Sequence, residues 1–134
     1  MLISSIETPA GRLLNATIEE ARALGAAEAD IAAAIAGERT RAVKMECRRR
    51  IYAVASAETQ TNMASLAAVI GAKTASARSE AEKEQLAAFS MALEWVQSMR
   101  GAAATLAAAP DDDILADASW PPCPAEVAAL AAGF

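Results

Sequence analysis

The chain has 134 residues, 54% of them hydrophobic, carries a net charge of −5 and contains no histidine. This length makes one domain the natural partition. The missing histidine removes most common hydrolase, metal-site and proton-shuttle arrangements, and the acidic total disfavours nucleic acid, whose partners are usually basic domains. The apolar fraction overstates the core, because 38 of those residues are alanine and only five are aromatic. Each alanine buries a single methyl, while favouring helix more than any other residue. The expected fold is therefore mainly α: alanine-rich antiparallel helices, with a short N-terminal β-hairpin or arm and an extended Trp/Pro C-terminal segment. Limited side-chain volume also points to burial against copies of the chain or a partner, hence a homo-oligomer.

Residues 1–15 form the predicted arm or hairpin. Leu2, Ile3 and Ile6 precede Thr8-Pro9-Ala10-Gly11, and Leu13-Leu14 follow. That is turn chemistry between short apolar pieces, and an isolated hairpin needs a surface to pack on. Residues 16–109 form the predicted helical domain. Thr17 and Glu20 make a capping-box signature, and Leu24, Ile31 and Ile35 a helical stripe ending near Gly37, with a restart after Gly25. Val43, Cys47, Ile51 and Val54 then recur at four, four and three, which puts them on one buried face. Arg41, Lys44 and Arg48 fall on another face. Continuity through Gln60 is expected, with Met63, Leu66, Val69 and Ile70 extending the apolar stripe. Lys73–Glu84 reads as a loop and a solvated helix start. Leu86, Phe89, Leu93, Val96, Arg100 and Ala103 mark an amphipathic helix from Glu80 to Ala108, stopped by Pro110. Phe89, Leu93, Val96 and Trp95 are its expected packing residues.

Residues 110–134 are predicted as an acidic linker, a Trp-Pro strap and a short terminal helix over residues 125–132. Trp120-Pro121-Pro122-Cys123-Pro124 enforces an extended path. Charge is uneven: −3 over residues 1–37, +4 over 38–54, −1 over 55–100 and −5 over 101–134. A basic collar between acidic ends suits complementary protein surfaces. Arg48, Arg49 and Arg50 are accordingly read as partner-binding, with Asp111–Asp113 and Asp117 as acidic candidates within the chain. Two cysteines without metal-ligand spacing read as reduced thiols. The Met1 end lacks a basic, apolar leader pattern, and no apolar run reaches membrane-spanning length. No catalytic arrangement, metal site or cofactor is expected, and no membrane partner.

One ordered pattern adds to this. Basic residues lead into Arg50-Ile51, then come Gln60-x-Asn62 and Trp95-Val96-x-x-Met99-Arg100, and finally Trp120-Pro121-x-x-Pro124-x-x-Val127 with Phe134. Over residues 48–134 this resembles small tail-region proteins of tailed bacteriophages and alphaproteobacterial prophages, of the tail-fibre-associated or tail-assembly kind. The resemblance implies a virion structural protein, a fibre or baseplate attachment component whose partners are other tail or fibre proteins. It implies location in the virion tail, or in the host cytoplasm during assembly. Trp120, Pro121, Pro122, Pro124 and Phe134 join the arginines as expected partner-binding residues. The alternatives are a tail-fibre assembly chaperone absent from the mature virion and, behind it, a nucleic-acid-associated regulator.

Overall fold

A computed structural model describes every residue from Met1 to Phe134. The fold is mainly α, with an N-terminal antiparallel hairpin of β1 (Leu2–Thr8) and β2 (Gly11–Thr17). Pro9 and Ala10 form the two-residue turn, and Gly11 closes it at φ 118°, a conformation that disfavours a Cβ. The Thr8 hydroxyl donates to the Gly11 carbonyl at 2.8 Å and accepts from the Ala10 N–H. In a regular strand Ile3 and Ile6 would face opposite sides. Both are buried here, because Asn15 at φ 51° kinks the ladder and Ser4 turns its N–H to Glu38 instead. Strand pairing runs to Thr17, two residues past the expected arm.

Thr17 ends the hairpin and caps α1 (Ile18–Ala23): its hydroxyl accepts the Glu20 N–H at 3.1 Å, and the Glu20 carboxylate accepts the Thr17 N–H at 2.8 Å. Gly25, at φ 81°, a conformation that side chains rarely adopt, turns the chain into α2 (Glu28–Val54). Gly37 does not end a helix, contrary to the stripe reading; it lies inside α2. One interior glycine costs about 1 kcal/mol. Packing on both sides overrides it: Ile31 is buried against the hairpin and Val43 against the helical core.

The expected continuity through Gln60 is also corrected. The chain breaks at Ala55-Ser56, where the Ser56 hydroxyl accepts the Thr59 N–H and starts α3 (Ala57–Gly71). The Gln60 amide donates back to the Ala55 carbonyl at 2.8 Å and staples the bend. Arg78 caps the far end of α3 by donating to the carbonyls of Ile70, Gly71 and Lys73. Ser79 and Glu82 then make a second capping box, and α4 spans Glu80–Ala108, the range expected from its periodicity.

Helices α2 and α4 are antiparallel. The Cys47 thiol donates to the Met99 carbonyl at 3.6 Å, while Arg39, two turns earlier, reaches the carbonyls of Leu106 in the last turn of α4 and of Ala109 and Asp112 just past it. That guanidinium satisfies carbonyls that the end of a helix leaves without partners. The buried line of α4 is Ala88, Ala92, Trp95, Met99 and Leu106. Leu93, expected in the core, is 53% exposed, because the buried face is rotated one residue from the line through the largest apolar side chains. Val69 and Leu24 are exposed for similar reasons: α3 turns Met63 and Ile70 inward, and Leu24 sits at the end of α1. Val43, Cys47 and Trp95 are buried, with Ile51, Val54, Phe89 and Val96 packed half-buried around them.

The C-terminal segment is part of this core. After a 3-10 turn at Asp117–Ser119, Trp120 is buried, and α5 (Ala125–Ala131) inserts Val127 and Ala131 between α3 and α4. Pro124 precedes α5 and fixes its entry. The hairpin has its own smaller core of Ile3, Ile6, Ala21, Ala26 and Ile31, so α2 carries one cluster at each end.

Candidate functional site

The arginine triplet diverges, as consecutive helical residues must. Glu46, on the same helix, is buried and accepts from both Arg49 (2.6 and 2.7 Å) and Arg50 (2.7 Å). The Arg49 hydrogen bonds, with those of Arg50, hold its carboxyl below the usual range against the opposing effect of burial. Arg50 is itself 14% exposed. It donates to Asp117 and to the Leu115 carbonyl, both at 2.8 Å, and its guanidinium lies 5.5 Å from the Trp120 ring centre. Trp120 donates its indole N–H to Ile114, and Trp95 donates to the Pro121 carbonyl at 3.2 Å.

These contacts give several of the expected partner-binding residues partners within the chain. Arg49 and Arg50 are spent on Glu46 and Asp117, Trp120 is core, and Pro121 and Pro124 are half-buried against the chain's own helices. Arg48, Arg49, Pro122 and Phe134 of that set stay open to solvent, Arg49 with its guanidinium paired to Glu46. The strap docks within the molecule. Its proline-restricted path loses little entropy in doing so, which its sequence alone does not direct toward self or partner.

The open site lies on the opposite side of α2. A groove of about 660 Å³ runs between α2 and α4, lined by Thr40, Lys44, Cys47, Arg48, Ile51, Tyr52, Gln60, Val96, Arg100, Ala103, Ala104 and Ala107. It exists because Ala103, Ala104 and Ala107 face α2 with methyls too short to fill the space between helices. Arg48 lies over the Tyr52 ring at 4.8 Å from its centre. The groove continues into an apolar slot of about 250 Å³ that shares Ile51, Gln60 and Val96 and adds Met63, Phe89, Ala92 and the exposed Leu93.

The charge on this groove is unlike that on the rest of the molecule. Of the twelve basic residues, Arg12, Arg22, Arg41, Arg49, Arg50, Lys73 and Lys83 form ion pairs. Arg39 and Arg78 are consumed by helix-end carbonyls. The three left without a hydrogen-bonded or ionic partner are Lys44, Arg48 and Arg100, and all three line the groove, which has no acidic wall residue. Lys44 and Arg48 were legible as a basic helical face; Arg100 joins them only because α4 packs antiparallel to α2. Gln60 stood in the Gln60-x-Asn62 pattern but not as a groove residue, and Tyr52 carried no sequence signal.

The thiols are ordinary. Burial pushes Cys47 up in pKa, partly offset by nearby Arg100, and burial likewise raises Cys123. Both are free. No helix is long and apolar enough to cross a membrane. No protein-family model matches the chain, and comparison with curated proteins finds no significant match.

Proposed function

We propose that this protein is a non-enzymatic structural component of a bacteriophage tail, working by protein–protein contact at a fibre or baseplate. The observation that carries the contact mode is the groove: every basic side chain without a partner gathers on one apolar-floored cleft. Unpaired cations around an apolar floor suit a protein partner that supplies both carboxylates and apolar side chains. The tail assignment rests on the ordered Arg50-Ile51, Gln60-x-Asn62, Trp95-Val96 and Trp120-Pro121 pattern. Two further surfaces serve self-association in this reading. The hairpin leaves Leu2 and Leu14 exposed beside open strand edges. The first half of α2 presents Ala29, Ala32, Ala33 and Ala36 to solvent.

Deleting the gene from the phage or prophage and imaging the particles is the test. The expected result is particles with absent or incomplete tail fibres or baseplates, and the protein detected by mass spectrometry in purified wild-type virions. Defective tails with no protein in the particle would move the reading to an assembly chaperone. Normal, infectious tails would end it.

A further inference from the structure

We infer that the groove between α2 and α4 receives an amphipathic helix of a different protein, whose apolar face ends in two or three carboxylates. This deepens the assembly role proposed above and rests on it. The two cavities adjoin at Ile51, Gln60 and Val96 and together follow α4 from Phe89 to Ala107 as a trough. That stretch is about 27 Å long at 1.5 Å per residue, the length of a helix of about five turns. The trough is polarised. The half toward Phe89 has Met63, Phe89 and Leu93 with no charge; the half toward Ala107 carries Lys44, Arg48 and Arg100. A helix laid in a groove is read by apolar anchors at i, i+3, i+4 and i+7, and only one end of this groove calls for charge.

Rival occupants fit less well. Phosphodiester backbone would meet an uncharged apolar half and a chain of net charge −5, with Tyr52, the only tyrosine, already covered by Arg48. A second copy has no spare amphipathic helix to lay there, because its own helices already bury their apolar faces in the two clusters of its fold. A separate acidic helix meets neither obstacle.

The test uses the full chain and a fluorescein-labelled, alanine- and glutamine-based helical peptide of about 18 residues, with leucines at i, i+3, i+4 and i+7 and three glutamates at one end. Its counterpart carries three lysines instead. Three rim pairs of ordinary exposed strength correspond to about tenfold in affinity. The acidic peptide is expected to bind at least about tenfold more tightly than the lysine peptide, to weaken with salt, and to shift the backbone amides of Arg48, Tyr52 and Ala103. Arg48→Glu with Arg100→Glu should reverse the preference. Both positions are exposed and make no ion pair or hydrogen bond, so circular dichroism should show the fold kept; Lys83→Glu, off the groove, should leave binding unchanged. Equal binding of the two peptides, no binding by either, or shifts confined elsewhere would overturn the inference. So would displacement of the acidic peptide by oligo-dT at the same amides, or sedimentation showing copies held together through Arg48 and Arg100. Failure here with defective tails in the deletion removes the groove's role and leaves the assembly reading. Binding here with normal tails does the reverse.

Discussion

Glu38 ties the hairpin to the helical body. Its carboxylate accepts the Ser4 N–H at 2.9 Å and the Arg41 guanidinium at 2.6 Å, and Arg41 also donates to the Ser4 hydroxyl at 2.7 Å. The Ser4 contacts, helped by Arg41, pull its pKa from 4.5 to about 2. A depressed carboxylate stabilises the fold above its unfolded pKa and loses that contribution as pH falls through the folded value. Docking of the hairpin on α2 is therefore expected to weaken between about pH 4.5 and 2. Amide exchange at Ile3 and Ser4, followed by NMR, should accelerate across that window. Glu38→Gln should flatten the response, and an unchanged response in that variant would show another group is responsible. The Glu38–Arg41 pair follows from i, i+3 spacing on one helix. Its long-range partner Ser4 does not, since nothing local links residues 34 positions apart.

At the scale of elements, caps decide where helices stop and start. Ser56 and Ser79 each accept a backbone N–H of the following turn, at 3.1 and 3.2 Å. Ser56→Ala should cost about 1 kcal/mol, lowering Tm by about 3–5 °C in a chain of this size. Thermal unfolding by circular dichroism checks it, and an unchanged Tm would mean that the Gln60 staple alone holds the bend. The capping box at Thr17, the Pro9 turn and the full extent of α4 were readable, because each is set by neighbours within four residues. The bend at Ala55 was not. A serine in a polar run fits a helix interior about as well as a cap until α3 has a surface to turn toward, and here that surface is α4.

For the whole molecule, the C-terminal segment closes the core. Trp120 joins Val43, Cys47, Met99 and Val127 in one cluster and covers the Arg50 guanidinium. Trp120→Ala should remove about 3–5 kcal/mol, the usual cost of an aromatic deletion in a packed core. It should also open Arg50, which the ring covers, to solvent. Chemical denaturation followed at Trp95 measures the loss. A change under about 1 kcal/mol would mean the strap contributes little to the fold.

By itself, the sequence determined the helical class, the N-terminal hairpin, the Glu80–Ala108 helix and the segregation of basic charge into the middle of the chain. These follow from propensity, turn chemistry and periodicity, which act over a few residues. Only the tertiary structure decided which arginines were left over. Glu46 takes up Arg49 and Arg50 locally, at helical spacing, but Asp117 and the Leu115 carbonyl hold Arg50 because α2 packs beneath the strap, and Arg100 reaches Lys44 and Arg48 because α4 runs antiparallel. The groove follows from the same packing. Alanines that make good helices make poor filling, and the space they leave between α2 and α4 is set by how two long helices cross.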